Sequence, residues 1–63
     1  MTVDDLRARR KAGFATELHL SPKEYEETYA KVKQYLQRAP ETNPQRYAIH
    51  FVFEGLQVIK SLA

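Results

Sequence analysis

A cluster of positive charge lies near the start of the chain, where four cationic side chains occupy five residues: Arg7, Arg9, Arg10 and Lys11. We call these four residues the basic run. The formal net charge is +2, and the basic and acidic residues after Lys11 balance each other. Because a cation that contacts a phosphate releases condensed counterions, the basic run is a candidate nucleic-acid contact. The other interpretation is a short solvated helix, capped by Thr2 and ended by Gly13, whose dipole these charges complement.

The remaining chemistry-bearing residues do not form a recognisable catalytic or metal-binding pattern. His19 and His50 are the two histidines, and no carboxylate recurs around them at a metal-ligand spacing. Ser21 fits a helix cap better than a nucleophile, and only two glycines exist, too few for a phosphate-binding loop. We therefore predict a protein that is not an enzyme, with no catalytic residue, no metal and no cofactor.

Length and composition indicate one small domain. The chain has 63 residues and no cysteine, and a chain this short buries only about 60% of its unfolded surface. Small domains usually add disulfides, a metal or a partner, and disulfides are excluded here. No apolar run approaches the roughly 20 residues that span a bilayer, and no signal-peptide pattern opens the chain. We expect a soluble, cytoplasmic protein that associates with itself and not with a membrane.

Residues 14–20 alternate in hydrophobicity, which predicts a half-buried strand. The buried face would carry Phe14, Thr16, Leu18 and Leu20, and the outward face Ala15, Glu17 and His19. Residues 1–13 would then be a basic N-terminal arm or short helix, and residues 14–63 a strand-helix-helix domain.

A helix is predicted directly after this strand. Ser21 and Glu24 have the spacing of a capping box, and Pro22 stands at the first helical position, where its missing N–H costs nothing. One apolar stripe follows at helical spacing: Tyr25, Tyr29, Val32 and Leu36. Pro40 closes the helix near Arg38.

Residues 44–62 have two interpretations. Asn43 and Pro44 resemble a helix cap and first turn, and a helix here would bury a wide apolar arc. The arc comprises Tyr47, Ala48, Phe51, Val52, Leu56, Ile59 and Leu62. A strand over 46–53 followed by a short helix is the alternative, since aromatic and β-branched residues also alternate there. The helix is favoured, which predicts a mainly α fold with one strand; the alternative is an α+β fold with a second strand at 46–53.

A single strand cannot satisfy its own backbone groups, and a wide apolar arc is too large for its own chain to cover. Both features predict a symmetric homodimer, joined by an intermolecular ribbon over residues 14–20 and by helix packing.

The order of strand, proline-initiated helix, turn and apolar helix resembles the ribbon-helix-helix family of DNA-binding dimers. The resemblance rests on the junction Leu18-His19-Leu20-Ser21-Pro22 and on residues 51–59, where Gly55 would be a close-packed point in the second helix. It implies an intertwined dimer whose antiparallel ribbon enters the DNA major groove. The outward residues Ala15, Glu17 and His19 would then face the bases.

Two functions follow from these patterns. The first is a small homodimeric DNA-binding protein, a transcriptional repressor or accessory regulator. Its nucleic-acid-binding residues would be Arg7, Arg9, Arg10, Lys11, Glu17 and His19. The second is a small interaction or inhibitor protein that binds another protein through its strand edge or apolar helix. The basic run and the element order favour the first, whereas the low net charge and the acidic Glu17 favour the second.

Overall fold

The computed structural model of the protein describes residues 1–11 and 17–61. Within them the chain forms helix α1 (Val3–Lys11), strand β1 (Glu17–Leu20), helix α2 (Pro22–Leu36), strand β2 (His50–Phe53) and strand β3 (Leu56–Lys60). The strands form one sheet in the order β1-β3-β2, with β1 parallel to β3 and β2 antiparallel to it. The expectation of a mainly α fold with one strand is therefore wrong.

Helix α1 begins with a reciprocal cap. The Asp5 amide donates to Thr2 Oγ1 at 3.2 Å, and the Thr2 amide donates to Asp5 Oδ2 at 3.0 Å. These two bonds satisfy donors that a helix start otherwise leaves without partners. Leu6 is completely buried, so α1 is part of the core. Gly13, the predicted end of this helix, lies outside the described residues.

Helix α2 has the predicted start and the predicted buried stripe. Ser21 Oγ accepts a hydrogen bond from the Glu24 amide at 3.4 Å, with Pro22 in the first turn. Tyr25 and Val32 are buried, and Tyr29 and Leu36 pack against the core. The helix ends at Leu36 because Gln37 adopts a left-handed conformation with φ of 57°.

A hairpin of β2 and β3 replaces the predicted second helix. Phe51 is opposite Val58, and both side chains are fully buried. The two-residue turn is Glu54-Gly55, with φ of 49° and 86°, and positive φ at both central residues is the pattern of a type I′ hairpin. The alternative interpretation placed a strand over 46–53. The observed strand is shorter, 50–53, and a third strand follows it where a short helix was expected.

The predicted helix start at Asn43 and Pro44 is a turn. Asn43 Oδ1 accepts from the Gln45 amide at 3.0 Å, and the Asn43 carbonyl accepts from the Arg46 amide at 3.0 Å. An asparagine followed by proline suits a turn as well as a helix cap, because both use the same local side-chain-to-backbone bond. Tyr47, assigned to the apolar arc, is fully exposed.

The argument for an obligatory intermolecular ribbon also fails. β1 pairs with β3 of its own chain, with Leu18 aligned to Val58. A crossover through α2 and β2 supplies this parallel partner, so the backbone of β1 is half satisfied without a second molecule. The ribbon-helix-helix-like intertwined dimer is therefore incompatible with this fold. Phe14, Ala15 and Thr16 of the predicted strand, and Leu62 of the predicted arc, lie outside the described residues.

The two faces of the sheet differ in what covers them. One face packs against α1 and α2 and carries Leu18, Leu20, Phe51, Phe53, Leu56 and Val58. By the alternation of strand side chains, the opposite face carries Glu17, His19, His50, Val52, Gln57 and Ile59. The connection between α2 and β2 contacts this second face where Asn43 bonds to His50 and where Arg46 pairs with Glu17.

Candidate interaction surface

The structure divides the basic run into residues with different roles. The Arg7 guanidinium donates from Nε to Glu54 Oε2 at 2.8 Å and from Nη2 to the Tyr35 hydroxyl at 2.6 Å. Its central carbon also lies 4.9 Å from the centre of the Tyr35 ring. The hydrogen bonds to Tyr35 and Glu54 raise the pKa of Arg7 above its ordinary value. Arg7 thus connects α1 with α2 and the β2–β3 turn.

The other three cations lie on the exposed last turns of α1. Arg9, Arg10 and Lys11 are all solvent-exposed. Arg10 Nη1 is 3.8 Å from Glu54 Oε1, and its side chain is 54% exposed. This pair is long and in water, so it leaves Arg10 available for other contacts.

Glu17 and His19 lie on the sheet face away from α1. Glu17 Oε1 forms an ion pair with the Arg46 guanidinium, and His19 Nε2 lies 3.6 Å from Glu17 Oε2. The His19 side chain is 62% exposed. The six residues predicted to bind nucleic acid therefore do not form one surface. Four belong to a helix packed on one face of the sheet, and two project from the other face.

The outer edge of β1 exposes backbone hydrogen-bonding groups. The Leu20 carbonyl accepts from the Ser61 amide at 2.8 Å, so the peptide groups of Leu20 point toward β3. Successive residues of a strand alternate in this direction, so those of Leu18 also face β3 and those of Glu17 and His19 face outward. Within residues 1–11 and 17–61, no backbone hydrogen bond reaches this outer edge.

The other edge of the sheet is partly covered. The Val52 amide donates to the Glu41 carbonyl at 2.7 Å, which closes the outer side of β2 with a single bridge. An uncovered strand edge is a template for pairing with another chain, and folded proteins usually protect such edges. The contrast between the two edges identifies β1 as the accessible one among the described strands.

His50 is a structural histidine. It is 8% exposed, its Nε2 accepts from the Asn43 amide at 2.9 Å, and its Nδ1 lies 2.7 Å from the Ala48 carbonyl. Both ring nitrogens are occupied by the connection that precedes β2, which matches a neutral ring protonated at Nδ1. Across the described ranges, no group of three histidine, cysteine or acidic side chains is arranged to hold a metal ion.

A polar groove of about 490 Å³ lies between the end of α2 and β2. Arg7 and Glu54 line it, but they are bonded to each other. Arg38 and Glu41 add a further cation and a further carboxylate. Because two cations and two carboxylates line the groove, it presents no single sign of charge to a ligand.

Sequence reasoning missed the partners that decide these roles. Arg7 is 28 residues from Tyr35 and 47 from Glu54, and no local pattern connects residues so far apart. One feature of the sequence did indicate the β2–β3 hairpin, and with it the sheet whose edge is β1. It is a two-residue turn ending in glycine, Glu54-Gly55, between alternating hydrophobic residues. Recognising this hairpin would have placed β3 beside β2 and left β1 to join the sheet.

Comparison of the chain with protein-family models, curated proteins and solved structures finds no match. In the part of the chain that the structure describes, neither helix has the length and apolarity needed to cross a membrane. A functional conclusion therefore depends on the surface geometry described above.

Proposed function

We propose that the protein is a small interaction protein that binds an extended segment of another chain along the outer edge of β1. The observation that carries this proposal is the outward direction of the peptide groups of Glu17 and His19. In strand addition, backbone hydrogen bonds supply much of the affinity, and pockets for alternate side chains supply specificity. The proposal corresponds to the second of the two functions expected from the sequence, with the strand edge as the binding element.

The placement of the charged residues supports this function over reading of DNA by the strand. Glu17 and His19 lie on a different face of the sheet from the basic run. A DNA major groove that held β1 would therefore not also contact α1. Arg7 is engaged with Glu54 and Tyr35 at the surface of the fold. Glu17 forms an ion pair with Arg46, which makes this cation less available to a phosphate at β1.

A substitution can block the outer edge of β1 and leave the hydrogen bonds between β1 and β3 in place. His19→Pro removes one outward N–H, and proline is tolerated on an edge strand because the bonds toward β3 come from Leu18 and Leu20. His19→Ala is the matched control, since it removes the side chain and keeps the N–H. Peptides selected from a displayed library on the wild-type protein should bind His19→Ala and should fail to bind His19→Pro. On protein that sediments as a monomer at the selection concentration, a library that yields no binder, or binders indifferent to the proline, would contradict the proposal.

A DNA-binding regulator is the second candidate, and one observation favours it. Arg9, Arg10 and Lys11 are exposed together at the end of α1, where they could contact successive phosphates. In this version binding is by the helix end alone and is insensitive to base sequence, because phosphate contacts carry no sequence information.

A further inference from the structure

We propose that the chain added to β1 is β1 of a second copy of this protein, in antiparallel orientation, with Leu18 on the two-fold axis. This inference rests on the proposed function of the β1 edge and names its partner. The two sheets would join into one continuous sheet of six strands, three from each copy. Each copy would then have its exposed edge covered by the same edge of the other.

Backbone geometry restricts the possible registers. In an antiparallel pair, residues whose peptide groups face the partner must lie opposite each other, which requires Glu17 and His19 to face Glu17 or His19 of the second copy. Three symmetric registers satisfy this condition. They place Glu17 against Glu17, His19 against His19, or each Glu17 against the His19 of the other copy.

Charge selects among these registers. Like charges directly opposite each other across a strand pair are unfavourable, whereas an imidazole can donate an N–H to a facing carboxylate in its neutral and its charged form. A glutamate facing a glutamate is therefore disfavoured, and two facing imidazoles have no carboxylate of the second copy opposite them. The third register places both histidines against glutamates of the other copy. The sequence Glu17-Leu18-His19 is thus complementary to itself when it is reversed about Leu18.

The central residue adds an apolar contact. In this register Leu18 faces Leu18 of the second copy as a pair without direct hydrogen bonds, which is the closer of the two kinds of antiparallel pair. Leu18 is only partly buried in the single chain and packs at the margin of the core. A second copy would cover its remaining surface and extend the core between the two molecules. A chain of 63 residues without cysteine gains stability in this way.

Two substitutions at the exposed His19 test the register by sedimentation equilibrium. The wild-type protein should sediment as a dimer, at about twice the chain mass of 7.4 kDa. His19→Lys should keep the dimer or tighten it, because lysine remains charged beside Glu17 of the second copy. His19→Glu should weaken the dimer by roughly tenfold, because each copy then opposes glutamate with glutamate. Equal weakening by both substitutions would overturn the register in favour of His19 facing His19, and no effect of either would overturn an interface at this edge.

A cross-linking experiment locates the axis. The protein has no cysteine, so Leu18→Cys introduces one thiol per chain. Directly opposite Cα atoms in a pair of this kind are about 4.5 Å apart, within the range for a disulfide. His19→Cys is the matched control, since its two copies would be diagonal neighbours about 7–8 Å apart. Under mild oxidation Leu18→Cys should form a covalent dimer quickly, and His19→Cys should form little. The opposite order would overturn the proposed axis.

The dimer and the edge function can fail separately. A wild-type protein that stays monomeric across the concentration range overturns the second copy as partner. If that monomer still selects peptides that His19→Pro abolishes, the edge function stands with a different partner. A dimer that His19→Pro leaves intact overturns the second copy as the partner of this edge, and the peptide selection then tests the edge function by itself.

Discussion

Arg7 and Glu54 are 47 residues apart in the chain, and the Nε and Oε2 atoms of their side chains are 2.8 Å apart. This contact ties the first helix to the turn between the last two strands. One cation of the basic run thereby joins two elements of the fold at the protein surface. The contact gives the Glu54 side chain a partner at a turn position where asparagine, aspartate or glycine is usual.

We expect Arg7→Ala to lower the stability of the protein and Arg9→Ala to leave it unchanged. Arg7 bonds to both Glu54 and Tyr35, whereas Arg9 lies on the exposed surface. Urea unfolding followed by circular dichroism measures the difference as a shift of the midpoint. Equal midpoints for the two variants would show that the Arg7 contacts do not hold α1 in place.

The substitution Gly55→Ala distinguishes the observed hairpin from the helix that was predicted for the same residues. Gly55 has φ of 86°, a conformation in which a side chain is strained. We expect the alanine to destabilise the protein by about 1 kcal/mol. In a helix the same change would stabilise by a similar amount, because alanine is the better helix former. The sign of the change in unfolding free energy therefore decides between the two structures.

Asp5 predicts a specific dependence of stability on pH. Hydrogen bonding from Thr2, first from its backbone and then from its side chain, holds the pKa of Asp5 below its ordinary value of 3.8. A carboxyl whose pKa is lower in the folded state stabilises the protein above the unfolded pKa. That contribution is lost as the pH falls through the folded pKa.

Asp5→Asn should therefore destabilise the protein at neutral pH and have little effect well below pH 3.8. Unfolding curves of wild type and variant at the two pH values measure this, and an NMR titration of the Asp5 carboxyl checks the direction directly. A pKa at or above the ordinary value would contradict the cap at the start of α1.

The DNA-binding candidate is tested with Arg9, Arg10 and Lys11 replaced together by alanine, and with Arg7 kept so that the fold is preserved. If α1 contacts phosphates, the triple variant should bind all DNA sequences more weakly. Its plot of log binding constant against log salt should also flatten by about 0.9 per lost contact. Titrations at several salt concentrations measure both effects. Wild-type protein that binds no DNA at low salt, where screening is weakest, would exclude this candidate.

The local elements of the fold could be predicted from the sequence alone. The start of α2 at Ser21, its buried stripe, and the strand character of residues 17–20 follow from interactions between residues a few positions apart. The cap at Thr2 belongs to the same class. Side-chain caps and one-sided apolar spacing act over three or four residues, so they leave the same pattern in any fold. The shared face of Glu17 and His19 was also predictable from alternation alone.

The apolar residues after Asn43 were decided only by the tertiary structure. Phe51 and Leu56 fit a helical spacing, whereas Phe51 and Phe53 fit the alternation of a strand, so the pattern of this segment is degenerate. The hairpin prevails because it provides β1 with a parallel neighbour and buries these side chains against both helices. The candidate site has the same division. Alternation in the sequence identifies Glu17 and His19 as residues of one strand face. The outward direction of their peptide groups depends on the pairing of β1 with β3, which joins residues about 40 positions apart, so no local pattern predicts it.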